Sequence, residues 1–190
     1  MDKGSREEVV LTFDDGPHPD STPVILQILD EHDVKAVFFC NGEACEKYPS
    51  LLSHIKCRGH QTGNHGYHHI KGPSVSTAEY LENARRASTL IDSRFFRPPY
   101  GLMTCRQFRR LKDCYSVVMW DLMTYDYDAR LSPAAVLKNT LQKSRAGSVI
   151  ALHDKPGSHS LSILGNLISG LKQSGFGFTL LPEVNLRKKR

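Results

Sequence analysis

The sequence is short of cysteine, and its five, Cys40, Cys45, Cys57, Cys105 and Cys114, include no Cys-X-X-Cys pair. An odd count without that spacing excludes a disulfide framework and a zinc knuckle. It reads as buried or half-buried free thiols and points to a reducing compartment. No apolar run reaches the roughly 18 residues of a membrane-spanning helix. Residues 1–8 are polar and do not read as a signal peptide. Location therefore stays open between the cytoplasm and, where a leader or anchor was trimmed ahead of the first strand, the cell envelope. Repeats, low-complexity tracts and linkers are missing too. This leaves one domain over residues 1–190, with a core of about 9–181. Excess positive charge is nearly confined to one end. Of the net +5, four charges lie in Arg187-Lys188-Lys189-Arg190, and the rest of the chain stands at +1. Such a tail reads as a solvated terminus, and a nucleic-acid partner is not expected.

What is present is an ordinary globular composition: 39% hydrophobic and 24% charged, with a mean hydropathy of −0.38. A chain of 190 residues buries roughly 70% of its unfolded surface. Short apolar runs alternate with amphipathic stretches. Residues 9–13, 36–40, 116–120, 148–152 and 178–181 read as strands, with shorter ones at 61–64 and 95–97. Helices are expected over 22–32 (Ser21 or Thr22 as N-cap), 49–56, 133–145 and 161–173. The longest is expected over 76–91, capped by Ser76 or Thr77. Alternating β and α units predict an α/β fold with a mostly parallel sheet. About six or seven strands suit either a barrel or an open sheet, which periodicity does not separate.

Five clusters carry chemistry. In Thr12-Phe13-Asp14-Asp15-Gly16-Pro17, two carboxylates end a hydrophobic strand where Gly-Pro turns the chain. Both can then reach one pocket, although a solvated Asp-Asp turn has the same appearance. In Asn64-His65-Gly66-Tyr67-His68-His69, His65 and His69 are four apart, a spacing that puts both imidazoles on one face of a helical turn. His68 is offset. One carboxylate with two histidines suits Zn²⁺, Co²⁺, Ni²⁺ or Fe²⁺, and three protein ligands leave positions open for water and substrate. The remaining clusters are Arg97-Pro98-Pro99-Tyr100-Gly101, the stretch from Trp120 to Tyr127, and Ile150-Ala151-Leu152-His153-Asp154. All five lie where a strand gives way to a loop, the edge at which α/β folds bind ligands.

In this order the five blocks resemble the polysaccharide deacetylase family (the NodB-homology domain, carbohydrate esterase family 4), from about Val9 to Leu181. The resemblance implies a distorted, incomplete (β/α) barrel of about seven mostly parallel strands. It also implies a metal-dependent hydrolase acting on linear amides, which removes N-acetyl groups from an amino-sugar glycan and releases acetate. By motif position, Asp14 would be the general base, and Asp15, His65 and His69 the ligands of one divalent ion, zinc foremost. Arg97 would hold Asp14, Tyr100 would offer its backbone N–H to the oxyanion, and His153 would be the general acid oriented by Asp126. Tyr100, Tyr127 and Leu152 would touch substrate. The implied partner is the acetylated glycan, and a monomer is expected.

The chain departs from the family pattern at Gly66 (usually Ser or Thr), Met123 (commonly Asp), Tyr127 (usually Trp) and Ala151 (often Leu). None is a proposed ligand or proton carrier. Two other readings remain: an O-acetyl esterase on xylan-like polymers, and a non-catalytic module that keeps a metal-lined carbohydrate groove.

Overall fold

The structure is a computed structural model that describes residues 7–182; the basic tail at 187–190 lies outside the described residues. Along the chain run β1 (Glu8–Asp14), α1 (Thr22–Glu31), β2 (Val37–Cys40), α2 (Gly42–Lys47), α3 (Pro49–Cys57), β3 (Gln61–Asn64), α4 (Thr77–Ser88), β4 (Phe95–Phe96), α5 (Cys105–Leu111), β5 (Ser116–Val117), β6 (Leu122–Met123), α6 (Pro133–Lys143), β7 (Val149–His153), α7 (Ser160–Gln173) and β8 (Gly177–Phe178).

The sheet order is β5-β4-β3-β2-β1-β7-β6, with β8 on β1, and the described pairs are all parallel. Seven parallel strands curl into the expected half-barrel. β1 is central and buried on both faces, as parallel strands are. Its Val9, Leu11 and Phe13 join Leu29, Ile150, Leu164 and Leu167 in the main core beneath the helices. Each such side chain contributes about 1.5–3 kcal/mol when fully buried. On the opposite face Val10 packs with Val37, Phe39 and Phe95. The next β1 side chains on that face are Thr12 and Asp14, so the polar site begins where this second cluster ends.

Several expectations shift. The longest described helix is α7, with 14 residues, while α4 has 12. α4 stops early because the Ser88 and Thr89 hydroxyls donate to the carbonyls of Arg85 and Arg86 at its end. Ser76 does cap α4, accepting the Glu79 N–H. Ser21 precedes α1 without a side-chain cap bond, because its hydroxyl is directed to Asp154 at 2.5 Å. β5 shrinks to two half-buried residues at the sheet edge. The strand expected at 178–181 is only Gly177–Phe178; farther on, the Gln61 side chain takes both the N–H and the C=O of Leu181. Three cysteines, Cys57, Cys105 and Cys114, are exposed rather than buried, and all five are free. No helix among the described residues is long and apolar enough to cross a membrane.

Candidate active site

At the C-terminal ends of β1, β3 and β7 the loops surround a cavity of about 250 Å³. Asp14 and Asp15 both line it. Strand alternation would send neighbours to opposite faces, but Asp15 has φ +80°, and this left-handed turn swings its carboxylate back beside that of Asp14. Such a backbone costs about 1–2 kcal/mol for a non-glycine residue. Gly16 follows because a Cβ there would fall 2.1 Å from Asp154 Oδ2.

Asp15 Oδ1 lies 3.6 Å from His65 Nε2 and 3.3 Å from His69 Nε2. Two atoms each about 2.1 Å from one tetrahedral ion stand about 3.4 Å apart, so both separations suit a shared ion, and all three atoms lie within 4.8 Å of one another. Asp15 Oδ1 is also buried without a hydrogen-bond partner, which a cation would supply. Its other oxygen accepts from Lys155 Nζ at 3.0 Å, leaving Oδ1 as the carboxylate oxygen that could take a ligand's place.

His65 Nδ1 is 2.8 Å from the Arg97 carbonyl oxygen. A carbonyl only accepts, so Nδ1 carries a proton and Nε2 is the ring nitrogen that faces Asp15. Burial, helped by nearby His65, pushes His69 down to about 4, so its imidazole is neutral at ordinary pH. Burial works to raise the Asp15 carboxyl, but His65, Lys155 and His69 outweigh it and the group ends below the usual range. The four-residue spacing was expected to lie on a helical turn. Instead residues 65–69 form an irregular loop with φ +81° at Gly66, and the two rings meet with centroids 5.0 Å apart. His68 points away, to Glu43 at 3.2 Å.

Beneath the cavity, Asp14 Oδ1 accepts from Arg97 Nη1 at 2.7 Å. Arg97 is fully buried, bonded to Thr12 and the Val118 carbonyl and stacked 4.0 Å over Phe39. Asp14 and His153 are register partners across β1 and β7. His153 Nδ1 is 2.7 Å from Asp126 Oδ1, and the same carboxylate accepts the His153 N–H through Oδ2 at 2.8 Å. Burial alone would lower the His153 pKa, but the Asp126 hydrogen bond and charge outweigh it and raise it above the ordinary value.

Tyr100 stands at the mouth, exposed, in a left-handed conformation (φ +59°) and against the His69 ring. Tyr127 packs edge-on to His153 at 4.8 Å and walls the other side. Leu152 is a correction. It is fully buried in the main core under the helices, because His153 faces the cavity and its neighbour on β7 must face away. Three lining residues carried no assigned role in the sequence: Trp120, Met123 and Lys155. Lys155 follows His153 by two positions, past the end of β7, and nothing in its local sequence distinguishes it from a loop lysine.

Comparison with known proteins identifies the family. The family model for polysaccharide deacetylase covers residues 2–115. The chain belongs to the polysaccharide deacetylase family. A peptidoglycan-N-acetylglucosamine deacetylase of Bacillus cereus is 36% identical over 190 residues, spanning 95% of this chain and 69% of that protein. A chitooligosaccharide deacetylase of Azorhizobium caulinodans is 30% identical over 200 residues, covering 94% of each. A solved peptidoglycan N-acetylglucosamine deacetylase, in complex with 4-naphthalen-1-yl-N-oxidanyl-benzamide, superposes with a TM-score of 0.88 at 36% identity. It covers 94% of this deacetylase-family chain and 87% of its own.

Proposed function

We propose that this chain is a divalent-metal-dependent hydrolase that removes N-acetyl groups from an amino-sugar glycan, with release of acetate. The observation that carries the reading is the triangle of Asp15 Oδ1, His65 Nε2 and His69 Nε2, set between a buried Asp14–Arg97 pair and a buried His153–Asp126 pair. Asp15, His65 and His69 would hold the ion, with zinc the first expectation and cobalt, nickel or iron compatible with the donors. When bound, such an ion supplies Lewis-acid polarisation of the acetyl carbonyl and lowers the pKa of the attacking water.

The chain's own residues do the remaining work. Asp14, paired with the Arg97 guanidinium, takes the proton of the attacking water. The backbone N–H of Tyr100 is assigned to the oxyanion; one such donor is worth about 3 kcal/mol in the barrier. His153 holds its Nδ1 proton against Asp126, which leaves Nε2 to deliver a proton to the departing amine. An amine needs this proton more than an ester's alkoxide does. The relatives named above favour a peptidoglycan or chitin-type amino sugar. Acetate release across N-acetylglucosamine oligomers, peptidoglycan and acetylated xylan tests the reading. Release from the amino-sugar substrates is expected; release from xylan alone would replace it with the esterase, and release from none with the binding module.

A further inference from the structure

The loop that presents His69 has no regular secondary structure, and His69 is the most exposed of the three ligand candidates, at 30%. The Gly42 and Glu43 N–H groups donate to the Gly66 and Tyr67 carbonyls at the near end of the loop, and the peptide groups next to His69 are held by Asn83, on the second turn of α4. Asn83 Oδ1 accepts the His68 N–H at 2.9 Å, and Asn83 Nδ2 donates to the His68 carbonyl at 2.9 Å. Because the two bonds run in opposite senses to one residue, they fix the orientation of the amide. The Asn83 backbone carbonyl also accepts the Tyr67 N–H at 3.1 Å. Thus one residue grips both peptide groups immediately before His69.

Gly66 is part of the same arrangement. It has φ +81°, and a Cβ there would stand 2.6 Å from Asn83 Nδ2. The missing side chain at 66 is the space that the Asn83 amide fills. The Asn64 side chain meets the Gly66 N–H from the strand side at 2.8 Å and completes the brace.

We infer that Asn83 is a positioning residue for the metal site, setting His69 Nε2 opposite Asp15 through the His68 peptide groups. The inference rests on the metal reading proposed above. Asn83 touches neither ion nor substrate. Its amide occupies the space that a Cβ at position 66 would take. Partners one shell removed from a ligand typically change metal affinity about 10–100-fold.

The test measures zinc affinity of the full chain by competition with a chelating dye, alongside melting of the metal-free protein. Asn83→Ala is expected to weaken zinc about 10–100-fold. Asn83→Asp keeps the acceptor for the His68 N–H but loses the donor to its carbonyl, and is expected to fall between. Arg85→Gly serves as the control, because it weakens the same helix from its exposed face without touching His68; it is expected to lower the melting temperature and leave zinc affinity within about twofold. Asn83→Ala binding zinc as tightly as the parent overturns the inference. So does Arg85→Gly weakening zinc as much as Asn83→Ala does, since the effect is then general loosening of α4. A parent that binds no zinc overturns the metal reading and this inference with it, an outcome distinct from tight parental binding that Asn83→Ala leaves unchanged.

Discussion

Asp126 grips His153 at two points, accepting its ring Nδ1–H at 2.7 Å and its backbone N–H at 2.8 Å with the two oxygens of one fully buried carboxylate. Thr124 donates to the same carboxylate at 3.0 Å. The ring can neither rotate nor exchange tautomers without breaking this pair. The carboxylate also stabilises the imidazolium, so the His153 pKa is raised. If the protonated ring is the active form, rate falls as pH climbs through that raised pKa. Asp126→Asn removes the charge, and the alkaline limb of kcat should move to lower pH with a loss of about 100-fold or more. His153→Ala should flatten the limb altogether. A limb that stays in place in both variants would assign the acid to another group.

Asp14 and Arg97 separate binding from turnover. Asp14→Asn should retain zinc while turnover drops about 10²–10⁴-fold, as expected for loss of a general base. Zinc content and acetate release, measured on one preparation, check this. Arg97→Met leaves a buried carboxylate unpaired and should cost about 3–5 kcal/mol in denaturant unfolding. A smaller effect would mean that Asp14 is compensated elsewhere.

Asp154 gives a pH signature in stability rather than rate. Burial pushes its carboxyl up to about 6, against the opposing hydroxyls of Ser21 and Thr22. The unfolded value is about 3.9. Between those pH values the folded chain holds more protons than the unfolded one, so stability falls as pH rises through the window and levels off above it. The loss amounts to about 3 kcal/mol. In Asp154→Asn this part of the slope should vanish, as read from urea midpoints between about pH 4 and 7. A slope that persists would locate the titration in another group.

Tyr127 tests the cavity wall. Its edge contact with His153 is the kind of aromatic pair worth about 0.5–1.5 kcal/mol. Tyr127→Ala should therefore lower kcat/KM about 2- to 10-fold, and Tyr127→Trp should restore most of it. Equal values for all three proteins would place substrate away from this wall.

The residues most legible in the sequence are those at the ends of long, uniformly apolar strands. Asp14 closes a strand buried along six residues, and His153 closes β7. In both, a hydrophobic run followed by a polar pair marks the sheet edge without help from tertiary structure. The sidedness of Leu152 was equally available from the period of two, once His153 was given to the cavity. Other features lay beyond local pattern. α2 and α5 have six and seven residues, too few to show a helical period. β6 has two residues and exists because β7 pairs with it. The spacing of His65 and His69 suggested a helical turn, yet the His68 peptide groups before His69 are held by Asn83, 14 residues beyond His69 and on another element. Lys155 acquires meaning only through Asp15, which is 140 residues away.

The most direct measurement is acetate release from N-acetylglucosamine oligomers before and after stripping with a chelator, and again on adding zinc, for the parent and Asp15→Ala. Activity in the parent should disappear on stripping and return with zinc, while Asp15→Ala stays inactive throughout. Full turnover by the stripped parent, or by Asp15→Ala, would contradict a reaction centred on Asp15, His65 and His69.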